Sequence, residues 1–395
     1  MNGHNSQHRN GRRDFFRLLT LGGLGVVLSP LAKSSPVSVF ELTEQDKPST
    51  NISDALKYAR KPISMPGFFP GKVIRTEHSN CIRDYIPVPE AVNEMLKQSI
   101  LSLTGERNLK KAWRTFVSPK DIIGLKINSA EGKHLSTNHD LINALIKQLT
   151  HSGIPLRNIV IWDRNEDQLK ETGFTSAQYP GLRIMGTEQK DKEGSFYDKE
   201  GKLYGEKMID PEWYYWADVE GHYDRNTIPY MINEGKYSYF TKICTKEVTK
   251  IINLPVLKNA GHSVALCLEN LAFGSITNTG RLYGKFWHEA CAEVCAFPPL
   301  RDKVVLNIAD GLFGCYKGSP SFNPQYITPF RLLLVGTDPV AVDRIGLDII
   351  TAKRIELRLQ KEENPNASMF LKFAEDLGLG VADRNKIDVS EINLS

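Results

Sequence analysis

The sequence predicts an α/β fold, with a mostly parallel sheet flanked by helices, Rossmann-like in outline and interrupted by an aromatic-rich insertion. Three observations predict it. Short apolar runs recur along the chain, at Ile122–Ile127, Ile159–Trp162, Ile251–Leu254, Val304–Ile308 and Leu332–Val335, and near-continuous apolar runs suit strands covered on both faces. A helical stripe, Leu141, Leu145 and Leu149, separates the first two runs, as a βαβ unit with a right-handed crossover requires. Each run then stops at polar residues, the position at which open α/β sheets bind ligands beyond their strand ends.

The composition is that of an ordinary globular protein. The 395 residues are 41% hydrophobic and 24% charged, with a net charge of +4, enough chain for a large core. Part of the excess charge sits in Arg9, Arg12, Arg13 and Arg17, and no later run of Lys and Arg is dense enough for a nucleic-acid face. The six cysteines form no CxxC pair and no ferredoxin-type run. Cys291 and Cys295 are spaced to share a helix face, but two thiols alone do not make a zinc or iron–sulfur site. Buried free thiols are the expectation, and an iron–sulfur cluster is not.

Residues 11–32, GRRDFFRLLTLGGLGVVLSPLA, combine paired arginines with a glycine-diluted apolar segment, the layout of an export signal. The stretch resembles a twin-arginine signal, with departures at Gly11, Phe16 and Arg17. That resemblance implies the twin-arginine translocation machinery as a partner and a periplasmic or otherwise exported location. The apolar run falls short of the ~20 residues of a spanning helix, so no integral membrane domain is expected apart from an uncleaved N-terminal anchor. Ala32 and Ser34 offer only a weak cleavage site, and the anchor therefore stays open. The expected organisation is a signal over 1–34, a linker over 35–53, an α/β domain over 54–360 with an insertion at 165–240, and a tail over 361–395.

In order, the chain predicts a short strand at Val73–Ile74, a helix over Ala91–Leu103 and a second short helix around Trp113. The strand over 121–128 ends in Lys126 and Asn128, and a helix from His139 to Thr150 follows, capped by Thr137 or Asn138. The next strand ends in Asp163 and Arg164. In the insertion, a hairpin is expected around Lys199–Gly201, and the aromatic run Trp213–Trp216 favours a satellite core over a sugar platform. The strand from Ile251 breaks at Pro255 and presents Lys258, Asn259 and His262, then leads to Glu269, Asn270 and Gly274. Later strands end at Asp310 and at Thr337-Asp338, with a helix from Pro339 and a short one in the tail at Ser368–Leu377.

If the strands are parallel, these tips share one sheet edge. Lys126, Arg164 and Lys258, with Asn128, Asn259, Asn270 and Thr337, then suit a small anionic ligand. Asp163, Asp310 and Asp338 suit a divalent metal. Plainer roles compete. Asp338-Pro339 is a helix start in its own right, so Asn at 338 is expected to serve nearly as well. Asp310-Gly311 reads equally as a turn, and lone His262 and His288 as structural residues. Dinucleotide, P-loop, GxSxG and HExxH signatures are absent, and no catalytic residue is assigned.

The runs GLKIN (124–128), WDR (162–164), LPVLKN (254–259) with LENLAFG (268–274), IADGLFG (308–314) and VGTDPVAVDRIG (335–346) together resemble the family called domain of unknown function 362, across roughly residues 68–355. The exported branch with a PGKVI opening (70–74) is the likeness. The resemblance implies no reaction. Some members carry a ferredoxin-like cysteine cluster that this chain lacks, and members commonly show Lys-Asn where Glu269-Asn270 stands. The expectation is an exported protein that binds a small anion or a divalent metal at its strand tips, with enzyme activity left open. The alternative is a non-catalytic periplasmic accessory protein of a redox or cofactor-assembly system.

Overall fold

The computed structural model describes residues 47–221, 228–318, 322–359 and 364–395, apart from the Lys285 side chain. The signal at 1–34 and most of the linker lie outside the described residues. The chain divides into a unit at Met1–Lys47 and an α/β body at Pro48–Ser395.

The body begins with α1 (Ile52–Leu56), β1 (Lys72–His78), a small hairpin β2 (Ile82–Arg83) and β3 (Ile86–Pro87), then α2 (Pro89–Thr104) and α3 (Leu109–Arg114). Next come β4 (Ile123–Lys126), α4 (His139–His151), β5 (Ile159–Asn165), α5 (Glu166–Glu171), β6 (Arg183–Glu188), β7 (Ile209–Trp216) and β8 (Tyr237–Thr241). The second half holds β9 (Lys250–Asn253), β10 (Val256–Asn259), β11 (Val264–Ala265), α6 (Cys267–Ser275), α7 (Trp287–Ala296) and α8 (Pro298–Arg301). It closes with β12 (Val304–Cys315), β13 (Ile327–Gly336), α9 (Pro339–Glu356), α10 (Met369–Asp376) and β14 (Asp388–Leu394).

The main sheet runs β14-β1-β13-β12-β9-β4-β5-β6, with β10 and β11 paired beside β12. From β12 through β6 the neighbours are parallel. Alternate residues of each strand face opposite layers. Leu125, Ile161, Ile252 and Leu306 pack with Val92, Leu96, Leu141 and Leu145 of α2 and α4. Val160, Trp162, Ile251 and Leu334 pack with Leu271, Val294, Val342 and Phe370 of α6, α7, α9 and α10. Each fully buried side chain of this kind contributes ~1.5–3 kcal/mol, so the two-layer burial explains why the strand sequences are apolar throughout. Asn138 caps α4, its side chain accepting from Asp140 N, and Asn165 caps α5 by accepting from Asp167 N and Gln168 N.

Several expectations change. β13 is antiparallel to β12, with Ile327 opposite Cys315 and Gly336 opposite Asn307. Its C-terminal end therefore lies near the start of β12, and Thr337-Asp338 leave the sheet away from the parallel strands' carboxyl edge. β12 continues to Cys315, which places Asp310 inside the strand rather than at its tip. Residues expected to begin an insertion instead contain α5 and β6, and β6 pairs in parallel with β5. The aromatic stretch forms a two-stranded sheet of β7 and β8 over a small core of Phe196, Leu203, Ile209, Tyr230 and Tyr239. Near it the hairpin expected around Lys199–Gly201 is present in short form, with an antiparallel bridge between Tyr197 and Leu203 and Tyr204 N donating to the Phe196 carbonyl at 2.9 Å. The tail supplies β14, parallel to β1.

Candidate functional site

The site is built where β4, β5 and β10 end beneath α6. Lys126 closes β4 with 0% exposure. Its Nζ donates to Asp163 Oδ1 at 2.6 Å, to the Ile127 carbonyl at 2.8 Å and to Asn270 Oδ1 at 3.1 Å, which uses all three donors of an ammonium. Asp163, near the end of β5, also accepts from Ser129 N (2.9 Å), Ser129 Oγ (2.7 Å) and Arg164 N (2.7 Å). Burial opposes ionisation of this carboxyl, yet the Lys126 charge and these donors hold it below the usual carboxylate value. Burial likewise pushes Lys126 down, against the raising effect of Asp163. With all three Lys126 donors engaged and the two charged groups 2.6 Å apart, we read the pair as ionised. Gly274 makes room for it, because a Cβ there would collide with Lys126 Cε and Nζ.

Lys258 reaches the same space from β10, which pairs parallel with β12 and antiparallel with β11. It is 5% exposed, and its Nζ donates to Glu131 Oε1 (2.9 Å) and Asn128 Oδ1 (3.3 Å). Arg164 donates to the Phe273 carbonyl (3.0 Å) and Thr279 Oγ1 (2.5 Å), and its Nε lies 3.5 Å from Glu188. Asn270 joins the two halves: its Oδ1 accepts from Asn128 Nδ2 (3.1 Å) as well as Lys126, and its Nδ2 donates to Asn253 Oδ1 (2.8 Å). Asn259 Oδ1 accepts from Gly261 N and Gly318 N, both at 3.1 Å.

These groups enclose a cleft of about 240 Å³, whose lining includes Lys126, Asn128, Asp163, Arg164, Lys258, Asn259 and Asn270. The sequence had pointed to each of these. The structure adds Glu131, Glu269, Gln168, Tyr283 and Phe322 to the walls. Glu269, in the first turn of α6, is half-buried and receives one long hydrogen bond, 3.4 Å, from Trp287 Nε1. Burial raises its proton affinity, and the Lys258 charge counters that. Sequence reasoning missed both acids: Glu131 had only its place in the loop after the β4 tip as a signal, and Glu269 stood beside Asn270 without an assigned role.

Three expected site residues lie elsewhere. Thr337 Oγ1 accepts from Phe69 N at 3.0 Å. Asp338 caps α9, accepting from Ala341 N (2.9 Å), and also from Gly71 N (2.9 Å) and Val381 N (3.0 Å); burial raises it to about 6. Asp310 lines a separate depression and accepts from Asn138 N (2.7 Å) and Leu312 N (3.0 Å), with burial again raising it to about 6. The expected grouping of Asp163, Asp310 and Asp338 around one metal is therefore corrected, because each carboxylate is engaged by different backbone or side-chain donors. Among the described residues, no group of three or more His, Cys, Asp or Glu side chains is placed to hold a metal ion. Cys291 and Cys295 are buried free thiols in α7.

A carboxylate the sequence did not single out supports the site from behind. Asp343, on α9 and 0% exposed, accepts from Cys267 N and Leu268 N at the start of α6. It is the last acidic residue of the TDPVAVD run.

Fold and cleft together define an α/β protein with a polar cleft at the carboxyl edge of its parallel strands. The family model described as "Domain of unknown function (DUF362)" matches residues 217–348, which cover β8 to β13, α6 and most of α9. No curated protein matches. Among solved structures, one of a protein from Thermotoga maritima, a structural-genomics target, is 10% identical with a TM-score of 0.37. The match covers 67% of this chain and 59% of that one, so the chain spans less than two thirds of that protein's length.

Proposed function

We propose that the cleft binds a small anionic molecule, with Lys258 as its main charge partner. One observation carries this reading: Lys258 and Arg164 line the same cleft, and the carboxylate that engages Lys258, Glu131, stands on a loop rather than in the core. An entering anion can replace Glu131 at Lys258 Nζ without leaving a fully buried charge unpaired, whereas Lys126 has no donor to spare. At about 240 Å³ the cleft lies below the ~300–1,000 Å³ typical of sites for drug-sized ligands, which favours an anion of phosphate or short carboxylate size. The test is thermal stabilisation by sulfate, phosphate and malonate. Wild type is expected to show a rise in Tm with at least one of them, and Lys258→Met to lose it while remaining folded. An equal rise in the variant removes the reading.

We further propose that the chain is exported through the twin-arginine pathway, on the paired arginines and apolar segment of residues 11–32. Among the described residues no helix is long and apolar enough to cross a membrane. Replacing Arg12 and Arg13 together by Lys is expected to leave a folded protein in the cytoplasm; unchanged periplasmic accumulation refutes the proposal.

A further inference from the structure

We infer that Glu269 is the proton-carrying group of the cleft, and that an anion docking on Lys258 brings a proton onto the Glu269 carboxylate. The inference rests on the anion reading above and deepens it.

The geometry is specific. Glu269 lines the cleft together with Lys258, and the long bond from Trp287 Nε1 is the side-chain hydrogen bond it receives. Lys126–Asp163 and Lys258–Glu131 are close ion pairs, which leaves Glu269, among the described residues, as the cleft carboxylate without a cation at salt-bridge distance. Other charged and titratable groups act on it from every side. Lys258 and Arg164 favour its ionised form and Glu131 opposes it. Tyr283, the Cys291 thiol of α7 and Asp343 of α9 also interact with its charge. His262 and His288 pack on Trp287, with ring centroids at 5.5 and 5.1 Å.

An anion at Lys258 changes this balance in one direction. It takes the place of Glu131 at the Lys258 ammonium, so it adds a negative charge to a small cleft that already holds Glu131 and Glu269 and brings no cation with it. That added charge raises the proton affinity of a half-buried carboxyl whose affinity burial has already raised. The proton comes from solvent and binds a Glu269 carboxylate oxygen, which converts an acceptor into an O–H donor facing the bound anion. A carboxylic acid held beside a bound oxyanion is the arrangement general-acid chemistry requires.

The experiment uses sulfate, which does not itself titrate near neutrality, with the full chain. Sulfate affinity of wild type is expected to rise as pH falls from 8 to 6, approaching tenfold per pH unit. Calorimetry in two buffers of different ionisation heat should show proton uptake on binding. Glu269→Gln, checked for native circular dichroism, is expected to bind sulfate with an affinity independent of pH, whereas Glu131→Gln retains the slope. A pH-independent wild type, a slope that survives in Glu269→Gln, or a slope lost in Glu131→Gln overturns the inference and leaves the anion reading standing. Failure of wild type to bind sulfate, phosphate or malonate anywhere in this range overturns both.

Discussion

The carboxylate of Asp343 receives the backbone N–H of Cys267 at 2.6 Å, and that of Leu268 at 3.0 Å, so α9 holds the first turn of the helix that roofs the cleft. The contact satisfies two donors that have no partner within their own helix. Asp343→Ala is expected to lose about 1–3 kcal/mol for each buried donor left unpaired, read from denaturant melts at pH 7. A variant within 0.5 kcal/mol of wild type, about the size of an ordinary surface substitution, would refute the capping role.

The same residue predicts a pH dependence. Burial raises the Asp343 carboxyl from 3.8 to about 7. Between these values the unfolded chain has released the proton while the folded protein retains it, so stability falls as pH rises through the window. The advantage of wild type over Asp343→Ala should therefore shrink from pH 4 to pH 7. An advantage that grows with pH contradicts the assignment.

Asp338 departs from the expectation that Asn would replace it with little loss. One oxygen accepts from Ala341 N, and the other from both Gly71 N and Val381 N. An amide can offer its oxygen to only one of these sides and turns an NH₂ toward N–H donors on the other. Asp338→Asn should lose about 1–3 kcal/mol. A melting curve matching wild type would show that the cap alone matters.

Lys126 and Asp163 predict a larger effect. Removing one member of a buried pair leaves an uncompensated charge, at a cost of about 3–5 kcal/mol. Lys126→Met should fall in that range. The carboxyl of Asp163 is held below 3.8, so its contribution is present above pH 4 and is lost as pH falls through the folded value. Wild type should show this loss in acid titrations and Lys126→Met should not; identical acid limbs would count against the pair.

Gly274→Ala tests the fit around that pair. The added methyl meets the end of a lysine whose three donors are all engaged, and overpacking of this kind costs about 1–3 kcal/mol. In the Lys126→Met background, where the ion pair is already lost, the alanine should cost less. Strict additivity of the two substitutions would show that they do not meet.

Much of the site could be read before the fold was known, because β4, β5 and the Pro255 break each announce a buried strand followed by charge. Those signals are local, and they placed Lys126, Asp163, Arg164 and Lys258 on walls of one cleft. The direction of β13 is not a local property. An apolar run such as Leu332–Val335 reads alike in a parallel or an antiparallel strand, and only its pairing with β12 moved Thr337 and Asp338 off the carboxyl edge. Asp343 escaped notice because a lone acid within a helical pattern reads as a solvated position. Its partners, Cys267 and Leu268, lie 76 and 75 residues away. β14 was missed because its burial alternates only weakly, from exposed to half-buried, as suits an edge strand.

The pairing of β14 with β1 also sets an order of events during synthesis. The two strands lie far apart in the chain, as the separation of 316 positions from Arg75 to Glu391 shows, and β1's other neighbour, β13, is itself distant. A ribosome that has released β1 must make most of the remaining body before either flank of that strand can be covered. Until then β1 offers unpaired backbone on both sides, an invitation to pair with other chains, and closing such long loops makes the sheet slow to form. The nascent protein is thus most exposed to misassembly after β1 emerges and before β14 does.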